Sequence, residues 1–258
     1  MLDATPAPQS HSSLTERLLT LMDQKDHWAY PYLTRPGLTR AQLFVHFTHE
    51  YEVYVRDFPA LLAGALAQTP PFADVRRALA ENLYEEQTGG LSGVGPHPEL
   101  FLEMMEGLGF ERRAFESFDA ERELHPAALA YRAFLRDKVL ARPWQAAVAL
   151  TTIWIEGSLH ERAELAGTRV RPQGDEGVRA HPLVVHYGCP PSAMRLTLAH
   201  AMVEGAHRKD AWRCVVPYTR DGSESDSVES VCREALVRWH AYRDGVAARM
   251  GLARHTAE

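Results

Sequence analysis

Three ionisable residues, His200, Glu204 and His207, stand at i, i+4 and i+7 in a stretch with no Gly or Pro before Gly205. At 3.6 residues per turn these positions share one helix face, so two imidazoles and a carboxylate point the same way, as metal ligands do. A solvated polar face would use the same spacing. Leu196, Ala199, Val203 and Ala206 border this side, however, and put the three groups at the margin of an apolar stripe. Ionisable groups there must be paired, solvated or ligated.

The rest of the chain offers partners. Glu156 directly follows the run Ala146 to Ile155, which is apolar enough to be a central helix, where a carboxylate is costly unless compensated. Glu86 closes a helix in which Glu81 and Glu85 read as solvated. His97, after a glycine-rich link, falls at the N-terminal lip of the next helix. Glu86, His97, Glu156, His200, Glu204 and His207 form a mixed imidazole and carboxylate set with no thiolate, which suits iron or manganese. Helix-bundle cores hold two such ions with carboxylates bridging them. A mononuclear site needs only three or four of the six. Zinc is compatible with the ligand types, but structural zinc usually recruits Cys, and the chain has no His-Glu-x-x-His motif. His46, His49, Glu50 and His160 are further polar candidates, the last four residues beyond Glu156.

The elements that position these residues all read as helices. Ser13 to Glu16 is a capping box, and a first helix is expected from Ser13 to Trp28. Thr39 to Gln42 opens a longer helix that Pro59 kinks or divides. Pro70-Pro71 starts a helix that runs through Glu86 to Gly89-Gly90, and Pro98 begins another that ends near Gly107 to Gly109. Pro126 to Ala141 and Pro143 to about Thr168 give two more. The segment from Arg169 to Gly188 reads as a loop or broken excursion, followed by the His200 helix up to Pro217. A last helix is capped by Asp226 to Glu229. No strand alternation and no repeat occurs. The expected architecture is all-α, one helical domain of about seven or eight helices over residues 13–258, behind a disordered leader at 1–12.

Composition is ordinary for a globular chain of 258 residues, at 45% hydrophobic and 24% charged. A formal charge of -6 argues against a nucleic-acid surface. Basic charge is almost all Arg, with Lys only at 25, 138 and 209; no function follows from that bias. Cys189, Cys214 and Cys232 are odd in number and lack CxxC spacing, which fits reduced, buried thiols and a cytoplasmic protein. The N-terminus has no signal-peptide pattern, and no apolar run approaches the ~20 residues that span a bilayer.

The pattern Asn82-Leu-Tyr-Glu-Glu86, a glycine-rich link, His97-Pro-Glu-Leu-Phe101, a lone Glu156 and His-x3-Glu-x2-His at 200 to 207 resembles the heme-oxygenase-like di-iron oxidases. This is the TenA/PqqC-related superfamily with its CADD-like and UndA-like enzymes. Tyr30-Pro-Tyr32 and Tyr51 to Pro59 are similar to the family's second-helix region, and the likeness covers roughly residues 25 to 215. It implies a heme-oxygenase-like helical bundle without heme. It also implies two Fe(II) ions, O2 as co-substrate, a small-molecule substrate, an electron donor and a homodimer. One iron would take Glu86, His97 and His207, and the other His200 and Glu204, with Glu156 shared; Glu86 rather than Glu85 follows from its place four after Asn82. Tyr30 matches a family catalytic tyrosine, and His160 would line the site or orient a ligand. Two features depart from the family. Glu204 stands where Asp is common, and Ala166 stands where CADD-like members have a Lys. Two alternatives are a cofactor-free TenA/PqqC-like enzyme and a non-catalytic interaction protein.

Overall fold

The computed structural model describes residues 11–140, 142–169 and 174–254, and the side chains of 11–13 and 204–207 lie outside that description. Among the described residues there is no strand. The principal helices are α1 (His11–Asp23), α2 (Arg40–Glu50), α3 (Phe58–Gln68), α4 (Ala73–Thr88), α5 (His97–Gly107), α6 (Pro126–Lys138), α7 (Trp144–Val148), α8 (Arg195–Val215) and α9 (Ser223–Arg249). Shorter helices fill the connections, so the described residues carry fifteen α-helices where about seven or eight are expected. Residues 1–10 of the expected leader lie outside the described residues, and α1 takes in the backbone of the last two, His11 and Ser12.

Local chemistry sets most boundaries. Thr39 and Gln42 form a reciprocal capping box at the start of α2. Gly89, at φ 66° in the left-handed region, terminates α4. The His125 ring accepts from Ala127 N–H at the start of α6. Pro59 sits in the first turn of α3, where its missing N–H costs nothing, and the chain breaks just before it.

Four expectations are corrected. α1 begins before Ser13, so Ser13 is not its cap, and it ends at Asp23 because Lys25 turns away to bond elsewhere. The helix expected from Pro143 to Thr168 stops at Glu156, and a short helix Glu161–Leu165 follows. The stretch expected as a loop or broken excursion carries two short helices, Gly174–Ala180 and Pro182–Tyr187. α9 starts at Ser223, after Gly222, rather than at Asp226.

Two helices change winding. α2 runs on into a π-helical turn, Tyr51–Val55, and α7 into another, Ala149–Ile155. Such turns are rare and concentrate at functional sites, because the extra residue per turn redirects side chains.

Apolar burial falls into two clusters. The larger takes Leu14, Leu18 and Met22 of α1, Tyr131 and Leu135 of α6, the α7 segment through Trp154, and Trp239 and Tyr242 of α9. The smaller takes Leu43 and Phe47 of α2, Leu100, Phe101 and Met105 of α5, and Leu196 and Ala199 of α8. α8 belongs to both, since its later residues Ala211, Trp212 and Val215 lie in the first. All three cysteines are buried and unbridged. No described helix is long and apolar enough to cross a membrane.

Candidate metal centre

At the seam of the two clusters lies a cavity of about 220 Å³, lined by Glu86, His97, Glu156 and His200 together with Tyr54, Ile155 and Arg208. Each ligand candidate comes from a different element: α4, the first residue of α5, the end of the second π turn, and α8. Glu86, His97 and His200 each offer one donor atom, and the three lie within 4.8 Å of one another. Donors on one ion at bonds of about 2.0–2.2 Å are at most about 4.4 Å apart. Donors that are not trans to one another lie closer, at about 3–4 Å, so side-chain shifts of up to about 1 Å would close the set.

His97 shows how the cluster is prepared. Its Nε2 is 3.2 Å from Glu85 Oε1, and its Nδ1 is 2.8 Å from Glu86 Oε1. The second contact is at ion-pair distance but poorly aligned for a hydrogen bond, and Nδ1 is buried. A buried ring nitrogen 2.8 Å from a carboxylate oxygen, with a second imidazole close by, is an arrangement that a cation would complete. Burial works against an imidazolium here, but Glu86 and Glu85 outweigh it and leave the His97 pKa raised.

The adjacent glutamates therefore have different tasks, and the expectation that Glu85 is solvated is corrected. Glu85 is fully buried, with Oε2 accepting from the N–H groups of Leu91 and Ser92 at 2.8 and 2.9 Å. Burial disfavours its charge, yet these bonds and His97 prevail, and its pKa is lowered. The Gly-rich link thus anchors Glu85, Glu85 fixes the ring of His97, and Glu86 is left facing the cavity. Asn82, one turn before Glu86, donates to Glu156 Oε1 at 2.5 Å. In the sequence Asn82 serves only to mark the position of Glu86, four residues on. Its signal was a short amide exactly one helical turn from a ligand candidate.

The helix of α8 is unbroken from Arg195 to Val215, so Glu204 and His207 keep their register with His200; their side chains lie outside the described residues. Tyr30 and His160 are not among the residues lining this cavity. Tyr30 packs instead on Trp239 and beneath the guanidinium of Arg243, which pairs with Glu50. His160 precedes the helix Glu161–Leu165, with its N–H on Ser158 Oγ. His49 is structural, its Nδ1 on Val45 O and its Nε2 accepting from His125 N–H. Burial takes both His46 and His49 down to about 4, so they are neutral. Arg208, a lining residue the sequence did not flag, is held by the buried Glu161 at 3.4 Å and by Glu164.

A family model described as iron-containing redox enzyme matches residues 45–243. The chain belongs to that family of iron-containing redox enzymes. The matched span contains every ligand candidate. Among solved structures, this family member is similar to a domain of unknown function with a heme oxygenase-like fold from Shewanella denitrificans. The two are 16% identical with a TM-score of 0.65, over 98% of this chain and 100% of that one. A TenA homologue from Pseudomonas syringae pv. tomato gives 12% identity and a TM-score of 0.65, over 96% and 99%. The family member thus has the heme-oxygenase-like fold. No curated protein matches it.

Proposed function

We propose that the protein is a non-heme di-iron oxidoreductase that uses O2 to oxidise a small amino acid, amine or carboxylic acid, by N-oxygenation, C–C cleavage or desaturation. One observation carries the reading. Glu86, His97 and His200 converge in a cavity while the far nitrogen of His97 is fixed by a buried carboxylate, so the ring is aimed before any ion arrives. The donor set is all oxygen and nitrogen, which fits iron and also manganese. Glu86, His97 and His200 would hold one ion, which moves His200 onto the ion that the resemblance gives to Glu86, His97 and His207. Glu156, with Glu204 and His207 one and two turns along from His200, would serve the second, as carboxylates do in helix-bundle di-iron centres.

Fe(II), when bound, would supply the electrons that activate O2, and an electron donor would return the ions to the ferrous state; the chain supplies geometry and an apolar site. Glu85 and Asn82 hold ligand orientation. Tyr54, Val55, Phe58, Ile155, Leu196 and Val203 give the cavity apolar walls that exclude water and receive the substrate's carbon skeleton. A volume of about 220 Å³ is below the ~300–1,000 Å³ of typical ligand pockets, which favours a substrate of amino-acid size.

Anaerobic Fe(II) titration with Mössbauer spectroscopy, followed by O2 uptake in a screen of small amines and acids, tests the reading. Two ions per chain and substrate-dependent O2 consumption are expected. A single ion would reduce the centre to a mononuclear one. No binding at all overturns the proposal and favours a cofactor-free TenA-like enzyme, whose fold the chain shares. Iron binding without O2 consumption under any condition would point to a non-catalytic protein.

A further inference from the structure

Lys25 is one of only three lysines among 28 basic residues, the rest being arginines. Its placement gives a reason for the exception. Just beyond α1, its Nζ reaches across the fold and donates to the carbonyl oxygens of Trp154 at 2.5 Å, Gly157 at 2.7 Å and Ile155 at 3.3 Å. The same ammonium lies 5.0 Å from the Trp154 ring centroid. These carbonyls flank Glu156 on both sides. They belong to the last turn of the apolar helix, where backbone acceptors have no partners within the helix and the dipole favours a cation. An ammonium offers three donors at tetrahedral angles and can meet three converging carbonyls. A guanidinium is a planar fork and cannot.

The helix stops here for a second reason. A Cβ on Gly157 would come within 2.2 Å of Ile153 O and 2.7 Å of Met22 Cε, so the chain leaves the helix at the one residue type that fits between it and α1. Glu156 is thereby held at its backbone by Lys25 and at its carboxylate by Asn82.

We propose that Lys25 is a positioning residue for the metal centre: by tying down the carbonyls on either side of Glu156, it sets where that carboxylate enters the cavity and so governs the ion that Glu156 serves. The proposal rests on the di-iron reading given above. It assigns Lys25 no contact with substrate or metal. Burial, with the nearby Arg243, draws its pKa down to about 7, whereas the three carbonyl dipoles reward the charged form. The comparison is therefore made below pH 7, where the ammonium prevails.

The test replaces Lys25 by Met and follows two readouts. In the metal-free protein, hydrogen exchange at residues 153–158 should accelerate relative to wild type. On Co(II) titration, the Glu156-dependent ion should lose about 10–100-fold in affinity and change its visible d–d spectrum, with the other ion retained. Lys25→Cys alkylated with 2-bromoethylamine restores an ammonium of nearly the same length and should restore both readouts; alkylation with iodoacetamide should not. The native thiols suit this design, since burial raises Cys189 and Cys214 to about 11 and Cys232 to about 12. If Lys25→Met fails to fold, Lys25→Arg decides, keeping the charge and losing the geometry. Wild-type exchange and an unchanged Co(II) spectrum in a folded Lys25 variant overturn the proposal, as does failure of the restored ammonium to rescue. Absence of Co(II) binding by the wild type itself would instead defeat the di-iron reading and leave the exchange comparison to judge Lys25.

Discussion

The division of labour between Glu85 and Glu86 is the clearest lesson at the scale of single residues. Two identical, adjacent side chains differ because one faces backbone N–H groups of the glycine-rich link and the other faces the cavity. Glu85→Gln keeps the shape but makes a weaker acceptor for His97, and it should cost about 10–100-fold in affinity for the first ion, read by competitive Co(II) titration. An unchanged affinity would show that the His97 ring is held by packing alone. Two other histidines are prepared in the opposite way. Burial keeps His46 and His49 neutral down to about 4, whereas in the unfolded chain they titrate near ~6.5. Below ~6.5 the unfolded state binds protons that the folded state refuses. Their contribution is therefore complete above that pH and is lost as the pH falls towards about 4, at about 1.4 kcal/mol per pH unit for each histidine. Urea midpoints of the metal-free protein between pH 7 and 4 should show this fall, and His46→Leu should flatten it. Equal slopes in the two proteins would remove His46 from the account.

At the scale of elements, two of the ligand candidates stand where helices begin or end, and further cavity-lining residues stand where one changes winding. His97 opens α5, Glu156 closes the apolar helix after a π turn, and Tyr54 and Val55 reach the cavity from the other π turn. This explains what could be read from the sequence and what could not. Helix periodicity and the punctuation of Thr39, Gly89 and Pro126 made the all-α fold and several boundaries legible, because those signals are local; Glu86, His97, Glu156 and His200 stood out singly as ionisable groups in apolar settings, and only the family resemblance joined them. The π turns, the stop after Glu156, the burial of Glu85 and the reach of Lys25 depend on contacts between distant segments that no local pattern encodes. Gly157 is the test of that tertiary stop. Gly157→Ala forces a methyl against Ile153 O and Met22, and should destabilise the protein by about 1–3 kcal/mol while moving Glu156 off its bond with Asn82. Thermal denaturation and the Co(II) titration measure the two effects. Stability loss with intact binding of both ions would mean that the helix end relaxes without carrying its carboxylate along.

Across the whole molecule, the centre lies between two apolar clusters that are separate in composition. Glu86 and Glu156 are carried by elements packed in the larger cluster, whereas His97 and the first half of α8 belong with the smaller one. An ion bound by these residues would be a cross-link between the clusters as well as a reactant. Its binding energy then becomes folding energy, because the unfolded chain has no such site. At free metal about 1,000 times the dissociation constant, the gain is about 4.1 kcal/mol, and a chain of this size shifts its melting temperature by roughly 2–4 °C per kcal/mol. Anaerobic loading with Fe(II) should therefore raise the melting temperature by about 8–16 °C, and EDTA should reverse the rise. Hydrogen exchange should slow most in α5 and the first half of α8, where the smaller cluster is pinned to the larger. A rise in melting temperature with slowing confined to α4 would place the ion within one cluster and deny it the cross-linking role. His200→Ala, which cuts the link from α8 alone, should abolish the slowing there while α4 and α5 retain theirs.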